Sequence, residues 1–332
     1  MDIFEWIKRE LKPKACTSEE LIYDDVESQS GRCLPIIYQP FDAAKRSHWR
    51  DRGSLFDFLL STGGRRLLDF GPGDGWPSLI VAPFADQVVG VDGSRRRVEV
   101  CTENAGRLGI SNARFVHVEP GSPLPFPDHS FDGAMAASSV DQTTEPKAAL
   151  RELYRVLRPE GRLRIHYEAL GIYRGGQERD VWLWDIDGDK VRLILYDRYI
   201  DEERVEQYGL TFAMTKQELL ARLSREGSAL SFEEITVPLL KEARPAITDA
   251  GVCYLNHASG KTMVSWLEEI GFQAVIPSHS GADFAGQLFE QLSERDRPND
   301  MNGVDELLRP LVKIVVQMAA PIESDPPITA IK

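Results

Sequence analysis

Cysteine is scarce: the 332 residues hold four, Cys16, Cys33, Cys101 and Cys253, and no two form a C-x-x-C pair. That scatter excludes zinc sites of common spacing and supplies no disulfide framework, so a reducing, cytoplasmic setting is the expectation. Long apolar runs are missing as well; nothing approaches the roughly eighteen residues of a membrane-spanning helix. The first residues, MDIFEWIKRELKPK, carry acids at Asp2 and Glu5 and no continuous apolar stretch. They read as a short amphipathic helix with Ile3, Phe4, Ile7 and Leu11 on one side, not as a signal peptide. Positive charge is in deficit, with 39 Lys and Arg against 52 Asp and Glu, a net −13. A nucleic-acid binder needs a basic stripe to neutralise phosphates, and this balance disfavours one. No metal is expected: read as a calcium loop from Asp185, WDIDGDKVR has Lys190 where the glycine belongs, and Tyr196 stands where the glutamate belongs.

What the chain does have is 42% hydrophobic residues, enough for a sizeable core, arranged in alternating short runs. RRLLDF, DQVVGVD, ARFVHV, FDGAMAA and RLRIHYEA read as strands. Between them PSLIVAPFA, RRRVEVCTENAGRL (capped by Ser94, stopped by Gly109) and EPKAALRELYRVLRPEG read as helices. Strands alternating with helices at this spacing specify a doubly wound α/β domain with a parallel sheet. Four regions follow: an N-terminal helical cover over 1–62, the α/β core over 63–171, an inserted α+β cap over 172–258, and a C-terminal completion of the sheet over 259–332. In the insert, DVWLWDIDGDKVRLILYDRYI predicts a β-hairpin, and TKQELLARLSREG a helix from Thr215 to Gly227. In the last region, VDELLRPLVKIVVQMA has helical spacing at Leu307, Leu311, Ile314 and Met318, and PPITAIK predicts a final strand.

The chemistry concentrates in LLDFGPGDG. An apolar strand runs into Asp69, Gly71, Gly73 and Gly75, and glycine lets backbone N–H groups come close to a ligand. A dinucleotide fingerprint would need glycine at Trp76, and a P-loop would need a lysine that does not follow. In open parallel sheets ligands sit at the carboxyl ends of the strands. Asp92 ends the second strand about twenty residues on, where a carboxylate can accept both hydroxyls of a ribose; it can equally begin a turn before Ser94.

Together LLDFGPGDG, VVGVDGS, LPFPDHSFD and ALRELYRVLRPEGRLRI resemble the class I S-adenosylmethionine-dependent methyltransferases, in the broad group typified by ubiquinone/menaquinone-biosynthesis methyltransferases. The resemblance covers Leu67 to about Leu170. It implies a seven-stranded Rossmann-like sheet in the order 3-2-1-4-5-7-6 with the last strand antiparallel. It also implies S-adenosyl-L-methionine as cofactor. Asp69, Phe70, Gly71, Pro72 and Gly73 would hold its methionine end, Asp92 its ribose with Gly93 and Ser94 beside it, and Glu119 the adenine amino group; Ser138 completes the set. The family pattern is broken at Pro120, which has no N–H to offer adenine. Methyl transfer is an in-line displacement that needs a base only when the acceptor is not already nucleophilic. The candidate catalytic groups are Asp141, His166 and Glu168; structural roles, in the core for His166 and as a turn cap for Asp141, are the alternative. His48 and Trp49 could face the cofactor or simply pack their helix.

The reading is methyl transfer to a small-molecule acceptor, with the segment Tyr173 to Asn256 covering the substrate site and selecting the acceptor. Protein or RNA methylation, or a methyltransferase-like binding protein without catalysis, are the alternatives, and a homodimer is left open.

Overall fold

In the computed structural model, residues 1–24, 40–168, 176–223 and 230–332 are described. Among them the strands are β1 (Lys14–Ala15), β2 (Arg66–Phe70), β3 (Gln87–Asp92), β4 (Ala113–His117), β5 (Phe131–Ala137) and β6 (Leu157–His166). There follow β7 (Gln177–Asp187), β8 (Lys190–Tyr199), β9 (Arg204–Phe212), β10 (Ile247–Asn256), β11 (Ala274–Pro277) and β12 (Ile328–Ile331). The α-helices are α1 (Ile3–Trp6), α2 (Arg46–Thr62), α3 (Ser78–Val81), α4 (Arg95–Leu108) and α5 (Pro146–Val156). The remaining ones are α6 (Lys216–Leu223), α7 (Val237–Ala243), α8 (Gly260–Ile270), α9 (Gly281–Gln291) and α10 (Met301–Val315). The chain divides into two compact units, one of Ser30–Ile172 with Ala258–Lys332, the other of Met1–Gln29 with Tyr173–His257.

The first unit is built on a seven-stranded sheet in the order β11-β12-β6-β5-β2-β3-β4. Counted within the sheet, this is the expected 3-2-1-4-5-7-6. The strands β2 to β6 run parallel, and β12 is antiparallel to both β6 and β11. Both faces are covered, which is why the central strands are apolar along their length rather than alternating. Leu67, Val88 and Met135 point to the side of α2 and α10, where they join Trp49, Phe56, Val304 and Leu308. Their neighbours Leu68, Val89 and Ala134 point to the other side, with Leu150 and Leu153 of α5 and Met263 and Leu267 of α8. The Ser94 side chain accepts from Arg97 N at 3.2 Å to cap α4, and Gly109 ends that helix in the left-handed region.

Several expectations are corrected here. Helix α5 stops at Val156, and LRPEG belongs to β6, whose pairing with β5 shifts register beside it. The helical spacing read in VDELLRPLVKIVVQMA is borne out by α10 as far as Val315; Val304, Leu308, Val312 and Val315 are its buried residues, while Ile314 and the following Met318 are exposed. The segment carries two apolar stripes, and Val304, Leu308 and Val312 form the one that joins the core beside α2. His48 and Trp49 pack their helix: His48 Nδ1 accepts from Asp42 N at 2.8 Å, and the fully buried Trp49 donates to Ala43 O at 2.9 Å.

The second unit holds a five-stranded sheet in the order β1-β10-β9-β8-β7. The expected hairpin is β7 with β8, and the chain continues through β9 and β10 as an antiparallel meander. One face buries Leu193, Leu195, Leu210 and Phe212 with Ile3, Phe4, Leu219 and Leu240. The opposite face buries Ile194, Val205 and Leu255 with Leu21 and Ile22. An N-terminal cover over 1–62 is therefore not one element. Strand β1 pairs parallel with β10, Lys14 opposite Gly251, so the first residues join the second unit, whereas α2 packs in the first. Thr215 Oγ1 accepts from Glu218 N at 3.2 Å at the start of α6. The expected stop of that helix at Gly227, and most of the loop LPIIYQPFD, lie outside the described residues.

Candidate functional site

Three elements hold the loop that leaves β2. Asp69, fully buried near the end of the strand, accepts from Ser78 N at 3.0 Å and Ser78 Oγ at 2.6 Å through one oxygen. Its other oxygen, also buried, has no hydrogen-bond partner among the described residues. Burial pushes this carboxyl up to about 7 against the two bonds from Ser78, and the nearby Asp92 charge adds to the rise.

The backbone then passes through left-handed conformations at Gly71 (φ 72°) and Gly73 (φ 55°). The two glycines serve different ends. A Cβ on Gly71 would collide with the Cβ of Ser139, whose hydroxyl donates to Phe70 O. A Cβ on Gly73 would meet nothing within 4 Å. Gly71 is bare because the protein fills the space beside it, whereas Gly73 borders open space.

From one side, a single stripe of α4 fastens the loop. Arg97 pairs with Asp74, Cys101 Sγ donates to Gly73 O at 2.9 Å, and Asn104 Nδ2 donates to Asp74 O at 2.9 Å. These residues stand at i, i+4 and i+7, on one face of the helix. From β3, the partly buried Asp92 uses both oxygens on backbone: Oδ1 accepts from Ser94 N at 2.9 Å and Oδ2 from Gly73 N at 3.2 Å. It is a turn residue and a loop anchor at once. A carboxylate accepts about four hydrogen bonds, so these roles do not preclude a ligand.

Asp69, Phe70, Gly71, Pro72, Gly73, Asp92, Gly93 and Ser94 thus gather at one edge of the sheet. Glu119 is exposed and paired with Arg95 at 2.7 Å, and its neighbour His117 reaches Gly93 O at 3.0 Å. Ser138 follows β5 at φ 54°, its N–H donating to His166 O at 2.7 Å. Asp141 is buried, and its Oδ2 accepts from Glu168 N at 3.1 Å, which ties the ends of β5 and β6 together. His166 sits with a different partner. Its Nε2 lies 3.2 Å from Oδ1 of Asp57 on α2, and its ring stacks on Phe58 at 4.6 Å.

Asp57 is the centre of a network that sequence reasoning missed. Its carboxylate takes Arg164 Nε at 2.7 Å and Nη2 at 3.0 Å, together with Gly281 N at 2.6 Å. Both charged side chains are fully buried. Burial opposes ionisation of Asp57, but the Arg164 guanidinium and then His166 outweigh it and hold the carboxyl well below the usual carboxylate range. Arg164 lies 107 residues from Asp57 in sequence and His166 lies 109, so no local pattern marks the network. The α4 stripe did carry a signal, since Arg97, Cys101 and Asn104 are polar or small residues at core spacing.

Comparison with known proteins gives the same region. A protein family described as "Methyltransferase domain" matches residues 68–165. The uncharacterized methyltransferase YcgJ of Bacillus subtilis (strain 168) is 36% identical over 119 residues, 35% of this chain and 47% of that protein. The 27-O-demethylrifamycin SV methyltransferase of Amycolatopsis mediterranei is 34% identical over 112 residues, 33% of this chain and 41% of its own. A demethylmenaquinone methyltransferase of Clavibacter sepedonicus is 36% identical over 102 residues, 31% of this chain and 40% of its own. The chain thus spans less than half the length of these curated relatives. In fold it is similar to the CcbJ methyltransferase from Streptomyces caelestis, with a TM-score of 0.52 at 12% identity, over 93% of this chain and 95% of that one. Among the described residues, no helix is long and apolar enough to cross a membrane.

Proposed function

Residues 68–165 form a class I S-adenosylmethionine-dependent methyltransferase domain, and from that premise we propose that the protein transfers the methyl group of S-adenosyl-L-methionine to a small-molecule acceptor. When bound, the cofactor supplies an electrophilic methyl group on a sulfonium. The observation that carries the reading is the open space beside Gly73, in a loop that α4 and Asp92 hold from two sides. The residues present fit the cofactor. Asp69 offers a buried oxygen without a hydrogen-bond partner among the described residues, a natural acceptor for an ammonium group. Asp92, partly exposed at the carboxyl end of β3, is disposed to accept from ribose hydroxyls while it keeps its hold on Gly73. Phe70, Pro72, Gly93, Ser94 and Ser138 complete the cradle, and Glu119 serves the adenine amino group from the rim.

A small acceptor is favoured because two of the relatives are methyltransferases of demethylrifamycin SV and of demethylmenaquinone by name. The net charge of −13 argues against RNA. Choice of acceptor is assigned to the unit formed largely by Tyr173–His257, which lies outside the family match. Excising Val181 to Ile200 would remove most of β7 and β8 and unfold that unit's own sheet. Replacing an exposed side chain there, as in Trp182→Ala, leaves the sheet intact and is expected to alter the KM for the acceptor while sparing cofactor affinity.

Calorimetric titration with S-adenosylhomocysteine, followed by a screen of small-molecule acceptors with labelled S-adenosylmethionine, tests the proposal. Asp92→Ala is expected to weaken binding by about 1.5–3 kcal/mol, the range for hydrogen bonds to a charged group, or roughly ten- to a hundredfold. A loss below about twofold would leave Asp92 as a turn residue alone.

A further inference from the structure

His166 and Asp57 form a carboxylate–imidazole couple beside the glycine loop. His166 is the last residue of β6, at the carboxyl edge of the sheet, and its side chain is 18% exposed. Phe58, stacked on the imidazole, also meets Trp76 edge-on at 5.8 Å, so an aromatic run leads from the loop to the ring. Asp57 is locked as an anion. It is fully buried, and Arg164 grips both its oxygens while the Gly281 N–H donates to Oδ2. An ionised carboxylate only accepts hydrogen bonds. The 3.2 Å contact therefore requires Nε2 of His166 to carry the proton. In the neutral ring the lone pair is then on Nδ1, which has no hydrogen bond among the described residues.

We propose that His166 is the proton acceptor of the methyl transfer and that Asp57 is its positioning residue, so that the acceptor atom is a hydroxyl-type oxygen that must lose a proton. The inference rests on the methyl-transfer reading. As the oxygen takes the methyl carbon, its proton passes to Nδ1 of His166 and the carbon–sulfur electron pair returns to sulfur. The positive charge lost from the sulfonium appears on the imidazolium, where Asp57 stabilises it, and the proton then leaves to water. Arg164 keeps Asp57 ionised and in place through every step. Asp141 and Glu168 take no proton in this scheme; the bond from Glu168 N to Asp141 fixes the end of β6 beside His166.

The test has two readouts. Nitrogen-15 NMR of the His166 imidazole at alkaline pH is expected to show the ring proton on Nε2. This readout needs no acceptor. In Asp57→Asn the charged acceptor facing Nε2 is lost, so the preference for a proton on Nε2 is expected to weaken. His166→Asn covers the case in which Asp57→Asn does not fold. With S-adenosylmethionine and a panel of phenols, it is expected to lose about 10²–10⁴-fold in rate with phenols that stay protonated at the assay pH, the usual contribution of a general base. With nitrophenols already ionised at that pH the loss is expected to stay below about tenfold, because no proton has to be removed. Protonation at Nδ1 in the unmodified protein, or equal losses for both kinds of phenol, would overturn the proposal. Calorimetry keeps the two readings apart: failure of the unmodified protein to bind S-adenosylhomocysteine counts against methyl transfer itself, not against the couple.

Discussion

The two sheets of this protein bury charge in different places. In the seven-stranded, mostly parallel sheet the central strands are largely apolar, and buried carboxylates lie near its carboxyl edge, Asp69 on β2 and Asp57 on α2. Asp69 is fully buried with one oxygen unsatisfied among the described residues, and Asp57 is held to Arg164 beside His166. In the five-stranded sheet, charged groups lie among the strands and are satisfied locally. Asp197 of β8 accepts from Gln177, Arg179 and Tyr199, and Glu206 of β9 from Lys8, Arg204 and Tyr208. The difference separates structure from chemistry. Asp69, with one oxygen unsatisfied among the described residues at the edge of the sheet, marks where a ligand belongs, whereas Asp57, Asp197 and Glu206 each have their partners.

The comparison is sharpest when a partner is removed. Arg164→Ala takes the guanidinium from the buried Asp57 and is expected to cost about 3–5 kcal/mol in denaturant unfolding. Glu206→Gln in the second unit keeps the side chain's shape and some of its bonds, beside a half-exposed Lys8. It is expected to cost roughly 1.5–3 kcal/mol, as loss of charge-assisted hydrogen bonds does. Equal losses would break the distinction.

Next in size is a dependence on pH. Asp69 has its folded value raised from 3.8 to about 7, so the folded state holds a proton that the unfolded chain has released. Its contribution to stability is complete below about pH 4, falls as pH rises toward about 7, and is level beyond. The slope is at most about 1.4 kcal/mol per pH unit. Asp57 has the opposite sign: its folded value is lowered, so stability is lost as pH drops below the ordinary carboxylate range. Asp69→Asn should flatten the slope between about pH 4 and 7 and leave the acid limb unchanged, which urea titrations across that range would register.

The smallest expected difference lies within the glycine loop. Alanine at either Gly71 or Gly73 incurs roughly 1–2 kcal/mol for a left-handed backbone. Gly71→Ala also collides with Ser139, adding about 1–3 kcal/mol of overpacking. Thermal unfolding should therefore rank Gly71→Ala below Gly73→Ala; the reverse order would mean that Gly73, too, is structural.

The sheet order, the strand ends and the glycine loop were legible because parallel strands announce themselves as apolar runs and because Asp69, Gly71, Gly73 and Asp92 are close in sequence. Long-range pairing was not. Nothing around Lys14 hints that it will lie opposite Gly251, and nothing around Asp57 points to Arg164. Helix α10 was legible as a helix, but it offers two apolar stripes, and only packing against α2 decides between Leu308 and Leu307. The α4 stripe of Arg97, Cys101 and Asn104 was visible as letters, but its target, the carbonyls of Gly73 and Asp74, exists only once the loop has turned.

The measurement that bears most directly on the account is calorimetric titration of S-adenosylhomocysteine into the unmodified protein and into Gly73→Val, each checked for a cooperative unfolding transition. A Cβ at Gly73 meets nothing within 4 Å. Its left-handed backbone costs about 1–2 kcal/mol, less than the usual margin of a folded domain, so the variant is expected to stay folded with binding abolished. A folded Gly73→Val that binds S-adenosylhomocysteine with unchanged affinity would contradict the assignment of that space to the cofactor.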